Sequence, residues 1–155
     1  MHYETTIDIA VPPAAVWAVL ADLARWPEWT ETVRSVNLLD PAPLVPGLRA
    51  RVRIRRAPTA TWTVTEVRRG AAFTWTASTA GIRTIASHEI EAAGEGSRVT
   101  LAIDQPGAVA GVLRPLLMRV ARKNLAIEAA GLKRRAEAGN HASTAAPLVP
   151  AAEEG

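Results

Sequence analysis

The sequence predicts an α+β domain: a curved antiparallel sheet of seven strands, one long C-terminal helix, and two short helices directly after the first strand. Three observations predict it. The alternation of apolar and polar residues that marks a half-buried strand appears once near the N-terminus, and six strands with short turns between them follow from Val33 to Asp104. After Pro106-Gly107 the period lengthens to that of a helix, with Val109, Val112, Leu113, Leu116, Leu117, Val120 and Ile127 in one narrow stripe. The two longest elements also match in length. A helix over 109–136 spans about 42 Å at ~1.5 Å per residue, and a strand over 82–92 spans about 35 Å at ~3.3 Å per residue, so one can cover the other.

Each element has a local reason. Thr5, Ile7, Ile9 and Val11 alternate with Thr6, Asp8 and Ala10. Pro12-Pro13 ends this strand, because proline offers no N–H to a ladder and presets φ for a helix start. Ala14 to Asp22 is a short helix with Val16, Val19 and Leu20 on one side. Arg25-Trp26-Pro27-Glu28-Trp29 begins a second, in which Pro27 is tolerable only in the first turn. Asp40-Pro41-Ala42-Pro43 and Pro46-Gly47 punctuate a stiff loop after the second strand. Leu48, Ala50, Val52 and Ile54 then alternate with Arg49, Arg51, Arg53 and Arg55. Trp62 and Val64 lead a strand that ends at Arg68-Arg69-Gly70, a hairpin into Phe73–Ala77. Gly81 opens the long strand, and Gly94-Glu95-Gly96 turns it into Arg98–Ile103. Connections this short make neighbouring strands antiparallel. Pro115 predicts a kink in the last helix, or a split of its first turn from the rest. Residues 1–137 form one domain, and residues 138–155, rich in Ala and Pro without periodicity, read as a disordered tail.

Composition removes whole classes of function. The chain has 155 residues, enough for one domain with a sizeable core, and no cysteine. Disulfide scaffolds, Cys-ligated zinc, iron–sulfur sites and thiol nucleophiles are therefore excluded. No apolar run reaches the ~18–20 residues of a membrane span. Met1 to Thr6 lacks the basic-then-apolar order of a secretory signal, so the expected location is cytoplasmic, without integral membrane association. Of 18 basic residues 16 are Arg, against 15 acids, for a net charge of +3. A nucleic-acid surface also needs stacking aromatics among its cations, and none interleaves with the arginines, so no nucleic-acid partner is expected. The chain holds no phosphate-cradling glycine loop, dinucleotide fingerprint or Ser-His-Asp order. With His2 and His141 near the termini there is no His-based metal set, and no cofactor is expected.

The most specific stretch is Ile7-Asp8-Ile9-Ala10-Val11-Pro12-Pro13-Ala14-Ala15-Val16-Trp17, followed by Asp22 and by Arg25-Trp26-Pro27-Glu28-Trp29. Together with Gly96-Ser97-Arg98-Val99-Thr100 and Gly131-Leu132-Lys133, it resembles the START and birch-pollen-allergen superfamily (SRPBCC), and within it the bacterial polyketide cyclase/dehydrase-type group. The resemblance covers residues 3–137. It implies a helix-grip fold, with a hydrophobic molecule held between sheet and helix. Some members cyclise or dehydrate polyketides, and others only carry lipids or hormones. The arginine-bearing strand at Arg49, Arg51, Arg53 and Arg55, in its functional reading, is a dock for an acidic partner such as an acyl carrier protein, or for anionic lipid. Aromatic-polyketide cyclases of this superfamily typically carry Ser and then Arg on the strand that here reads Trp62, Val64, Glu66. That departure argues against aromatic ring closure on a poly-β-ketone.

Alternation assigns Val52, Ile54, Trp62, Val64, Phe73, Trp75 and Ile90 to the concave face as ligand-binding positions. Leu116, Leu117 and Val120 should close the pocket from the helix, with Trp29 at its border. His88 shares the inward phase of Ile90. Histidine titrates near neutrality, which suits an acid or base; the competing reading is a core histidine bonded to a neighbour. Glu66 shares that phase if no bulge intervenes, as a general base or an orienter of His88; otherwise it is hydrated at the mouth. Asn124 interrupts the helical stripe and either donates to a ligand carbonyl or serves a backbone group. Gly131 lets the helix approach the sheet. Arg49, Arg51, Arg53 and Arg55, with Arg56 adjacent, form a basic row on the convex face, either a solvated surface that blocks sheet-to-sheet pairing or a dock for an acidic partner. The sequence therefore predicts binding of a small hydrophobic, polyketide-like or lipid-like molecule, with cyclisation or dehydration by His88, Glu66 and Asn124. A non-catalytic carrier or sensor, or an interaction module using the arginine strand, is the alternative.

Overall fold

The structure, a computed structural model, describes residues 1–144. Seven strands form one antiparallel sheet: β1 (His2–Ile9), β2 (Val33–Leu38), β3 (Arg49–Ile54), β4 (Ala60–Arg68), β5 (Ala72–Thr79), β6 (Ile82–Ala93) and β7 (Gly96–Asp104). Their order is β1-β7-β6-β5-β4-β3-β2. Strands β2 to β7 are therefore a meander, and β1 pairs with β7, Thr5 opposite Leu101 and Ile7 opposite Val99. The chain must then cross from the β1 edge to the β2 edge. Helix α1 (Pro13–Leu20) and a 3-10 turn (Leu23–Glu28) make that crossing, which is why two short helices follow the opening strand. Val16 and Leu20 of α1 are fully buried, as is Trp26, whose indole N–H donates to the Leu20 carbonyl at 2.9 Å.

The expected long helix is split. Residues Ala108–Val112 form α2 and Arg114–Thr144 form α3. Pro115 sits in the first turn of α3, where its missing N–H leaves no broken bond. Helix α3 runs through Thr144, so a boundary at 137/138 falls inside it; the rest of the expected tail, 145–155, lies outside the described residues.

The face that α3 buries differs from the one its apolar stripe predicts. Ala121, Leu125, Ala129, Leu132 and Ala136 are buried, whereas Val112 is 81% and Leu116 60% exposed. Small side chains explain the choice, because they let α3 lie close to β1 and α1. The closest approach is at Gly131, which rests on the Trp29 carbonyl after the 3-10 turn, and not on the sheet as expected. Lys133 donates to the Asp8 carbonyl at 2.8 Å, and Glu137 accepts from the Ala10 N–H at 3.0 Å. These contacts lock the C-terminal half of the helix to β1.

Candidate functional site

Between the concave face of the sheet and α3, most of the interior is filled with aromatic rings. Trp26 packs on Trp29 and on Trp75 with centroids 5.3 Å apart in each pair, and Trp62 lies 4.9 Å from Trp75. His88 on β6 belongs to this cluster: its ring stacks on Phe73 at 4.3 Å and 8°, with Trp26 edge-on at 5.4 Å. Alternation along β6 puts His88 inward with Ala86 and Ile90, and all three are buried.

One contact between two polar side chains lies inside the cluster. His88 Nε2 is 3.1 Å from Glu128 Oε1, and the two side chains are 3% and 12% exposed. A carboxylate so far from water is retained at a cost, and an accepted hydrogen bond is what offsets that cost. Glu128 also fixes which nitrogen is engaged. His88 Nδ1 and the Trp62 indole N–H are buried and have no partner among the described residues. Beside them is a cavity of about 60 Å³ whose walls include Trp62, Trp75, His88, Asn124 and Glu128. That volume holds roughly two waters at ~30 Å³ each. A base, an indole donor, a half-buried amide and a carboxylate thus converge on one small, otherwise apolar space.

The expected site residues divide by position. Val52, Ile54, Trp62, Trp75, His88 and Asn124 wall this cavity. Val64, Phe73 and Ile90 are buried behind it as core, and Trp29 is buried against Trp26 and α3. Glu66 does not join them. The β4–β5 register slips between Val64 and Glu66, and the extra residue, Thr65, turns Glu66 to the solvent side. Leu116 and Val120 face water, and Leu117 is half-buried. Asn124 is half-buried, and its amide has no partner among the described residues. The arginine row behaves as alternation predicts: Arg49, Arg51, Arg53 and Arg55 are exposed while Ala50 and Val52 are buried.

Sequence reasoning missed Glu128. One signal pointed to it: no Asp or Glu stands between Asp104 and Glu128, and Glu128 then falls on the face of Ala121, Leu125, Leu132 and Ala136.

Two further depressions open to solvent. A groove of about 140 Å³ adjoins the inner cavity. A larger one, about 670 Å³, lies at the other end, between Trp17 of α1 and the proline loop at Leu44 and Val45. The larger groove holds no paired titratable groups, whereas the smaller space holds the His88–Glu128 pair. Among the described residues no three His, Cys, Asp or Glu side chains gather as a metal set, and no helix is long and apolar enough to cross a membrane.

Exposed pairs fasten the sheet around the site. The Arg98 guanidinium holds the Asp8 carboxyl below its ordinary value, and Arg49 does the same for Asp40. Lys133, with the Ala10 N–H, lowers Glu137. His2 is raised by its hydrogen bond to Asp104.

Comparison with known proteins follows the fold. The family model described as polyketide cyclase / dehydrase and lipid transport matches residues 1–137. No curated protein matches the chain. Among solved structures, a Thermus thermophilus protein is 19% identical with a TM-score of 0.72, covering 90% of this chain and 99% of its own. The Zhui aromatase/cyclase of Streptomyces sp. R1128 is 16% identical with a TM-score of 0.73, covering 92% and 97%. A START superfamily protein from Mycobacterium smegmatis is 15% identical with a TM-score of 0.69, covering 88% and 97%. At these identities the likeness is one of fold.

Proposed function

We propose, from the premise that this chain belongs to the polyketide cyclase / dehydrase and lipid transport family, that it binds a small hydrophobic molecule between sheet and α3 and dehydrates or cyclises it by acid–base chemistry at His88. The observation that carries this reading is the His88–Glu128 pair on the wall of the inner cavity. Glu128 accepts a hydrogen bond from Nε2–H, and in this tautomer the Nδ1 lone pair is the base. In a dehydration, Nδ1 takes a proton from the carbon α to a carbonyl. The β-hydroxyl leaves as water with the proton that the imidazolium returns, and a C=C bond forms. In this reading the Trp62 indole N–H and the Asn124 amide, both on the cavity wall, donate to the carbonyl oxygen as charge develops on it. The absence of the Ser–Arg pair on β4 directs the reading away from aromatic ring closure. The exposed Arg51 and Arg53 support presentation of the substrate by an acidic carrier protein.

A carrier or sensor without turnover is the second reading, favoured by the Phe73 ring stacked on His88 and by the small volume of the cavity. A β-hydroxyacyl thioester, 3-hydroxydecanoyl-N-acetylcysteamine, separates the two when enoyl formation is followed by absorbance. The enzyme reading expects turnover that falls by roughly 10²–10⁴ in His88→Ala with binding retained. Saturable binding without turnover in the unmodified protein leaves only the carrier.

A further inference from the structure

The outer groove has a chemistry that acid–base work at His88 does not use. It shares Thr32 and Asn124 with the inner cavity, so the two adjoin across these side chains. On one side α3 presents Val120 and Ile127, continuing the exposed stripe of Leu113 and Leu116. On the other side is the turn between β3 and β4, which brings Arg55 and Arg56, while Lys123 stands on the helix beside them. Glu31 is the one carboxylate in the lining, which leaves an excess of two positive charges.

Three features set these cations apart from an ordinary solvated surface. None of the three side chains has an ion-pair or hydrogen-bond partner among the described residues, even with Glu31 in the same groove. The helix beside them carries Arg114, Arg119, Arg122 and Lys123 without an acid before Glu128, so this stretch of helix adds to the positive field that Glu31 offsets only in part. Arg56 has φ of 63°, the left-handed region that a turn built for stability alone gives to Gly or Asn. The Arg55 N–H, bonded to the Thr32 carbonyl at 2.8 Å, pins this turn against the start of β2. The left-handed backbone at Arg56, which the β5–β6 turn shares at Ala80, carries the guanidinium to the rim of the groove.

Resting on the proposed hydrophobic-ligand reading, we infer that the ligand is an anionic amphiphile, with its apolar body directed towards Trp62 and Trp75 and its carboxylate or phosphate held by Arg55, Arg56 and Lys123. The apolar wall of α3 receives the chain where it leaves the inner cavity. Arginine suits the anionic end because its fork donates two parallel hydrogen bonds to such a group.

The fluorescence of Trp26, Trp62 and Trp75 reports occupancy directly, since all three wall the inner cavity. Decanoate, decanol and decyltrimethylammonium are titrated below micelle formation into the wild type, the Arg55→Glu/Arg56→Glu double variant and Arg56→Gly, the last of which relieves the backbone strain. Decanoate should bind about three- to tenfold more tightly than decanol, and the double variant should reverse that order while leaving decanol unchanged. Arg56→Gly should weaken decanoate alone. Equal binding of decanoate and decanol, or a preference that survives the double variant, overturns the inference and leaves hydrophobic binding standing. No response to any of the three removes the binding reading itself. Sedimentation with phosphatidylglycerol and phosphatidylcholine vesicles separates the sources of the anion. Retention on anionic vesicles without decanoate binding assigns the cations to a membrane surface and overturns the inference. Decanoate binding without retention upholds it for a free ligand.

Discussion

Replacing Gly131 by alanine tests whether α3 is seated as described. A Cβ built there falls on the Trp29 carbonyl oxygen, well inside the 3.0 Å that real Cβ atoms keep, and lies 3.2 Å from the carbonyl carbon. The obstacle is backbone, so no side chain can swing aside. Helix and 3-10 turn must separate by about 1 Å, in a region where Leu132 and Trp26 are fully buried. Overpacking of this kind costs about 1–3 kcal/mol, and a rigid carbonyl puts the cost in the upper half of that range. Alanine returns about 0.8–1.0 kcal/mol through helix propensity. The net loss is therefore about 1–2 kcal/mol, or roughly 2–8 °C in Tm for a chain of this size. Gly139, on the same helix, has nothing within 4 Å of an added methyl group. Gly139→Ala should therefore raise Tm by up to about 3 °C on propensity alone. Thermal melts of the two variants, followed by circular dichroism, make the comparison. If Gly131→Ala melts at or above the wild type, the close seating of α3 on Trp29 is wrong.

Other expectations follow from the same geometry. Glu128→Gln should lower turnover of the β-hydroxyacyl thioester while His88→Ala and the His88→Ala/Glu128→Gln double variant lose about equally, because residues acting as a unit are not additive; additive losses in log rate would mean that Glu128 does not act through His88. Glu66→Gln, by contrast, should leave both turnover and decanol binding unchanged, and a loss of either would place this side chain inside after all. The lowered carboxyls of Asp8 and Glu137 contribute stability that is complete above their unfolded values of 3.8 and 4.5 and is lost as pH falls through the lower folded values. The difference in urea midpoint between wild type and Arg98→Ala should accordingly be largest near neutrality and shrink as pH falls below 3.8; a difference that does not shrink in acid refutes the assignment. His2 works in the opposite sense, since its raised value gives stability below 6.5 that fades as pH rises through the folded value. His2→Ala should then cost more at about pH 5 than at about pH 9, and equal costs would refute it.

What the sequence makes legible follows from which forces act locally. Alternation along β3 is unambiguous because every second residue is arginine, and the row is exposed as written. The β6 phase carries His88 inward for the same reason. Glu66 illustrates the limit: a bulge adds one residue, the alternation itself contains no trace of it, and a single step reverses the face. The choice of face on α3 is harder still. Two faces compete, one of Leu and Val, the other of Ala, Gly and Leu. Hydrophobicity favours the first, yet the second lets backbones approach closely, and packing decides. Glu128 was hidden by the same ambiguity, since a glutamate on a helix ordinarily reads as surface.

The filled interior determines how a ligand must enter. A cavity near 60 Å³ and its 140 Å³ groove together stay below the ~300 Å³ where pockets for drug-sized ligands begin. A ten-carbon chain therefore requires movement, and the bonds along α3 decide where. Its C-terminal half is fixed by Gly131 on Trp29, by Lys133 on the Asp8 carbonyl, by Glu137 on the Ala10 N–H and by Arg135, 3.6 Å from Glu28. Among the described residues its N-terminal end has no such ties: Leu116 and Val120 are exposed, a break at Leu113 separates it from α2, and α2 is only five residues long. Opening should occur at residues 108–120, beside the cationic groove. Amide exchange should then be faster over 116–121 than over 129–136, and decanoate should slow the first stretch more than the second. Equal protection of the two stretches, or slowing confined to the C-terminal half, would mean that the ligand enters from the α1 end, by way of the large groove at Trp17.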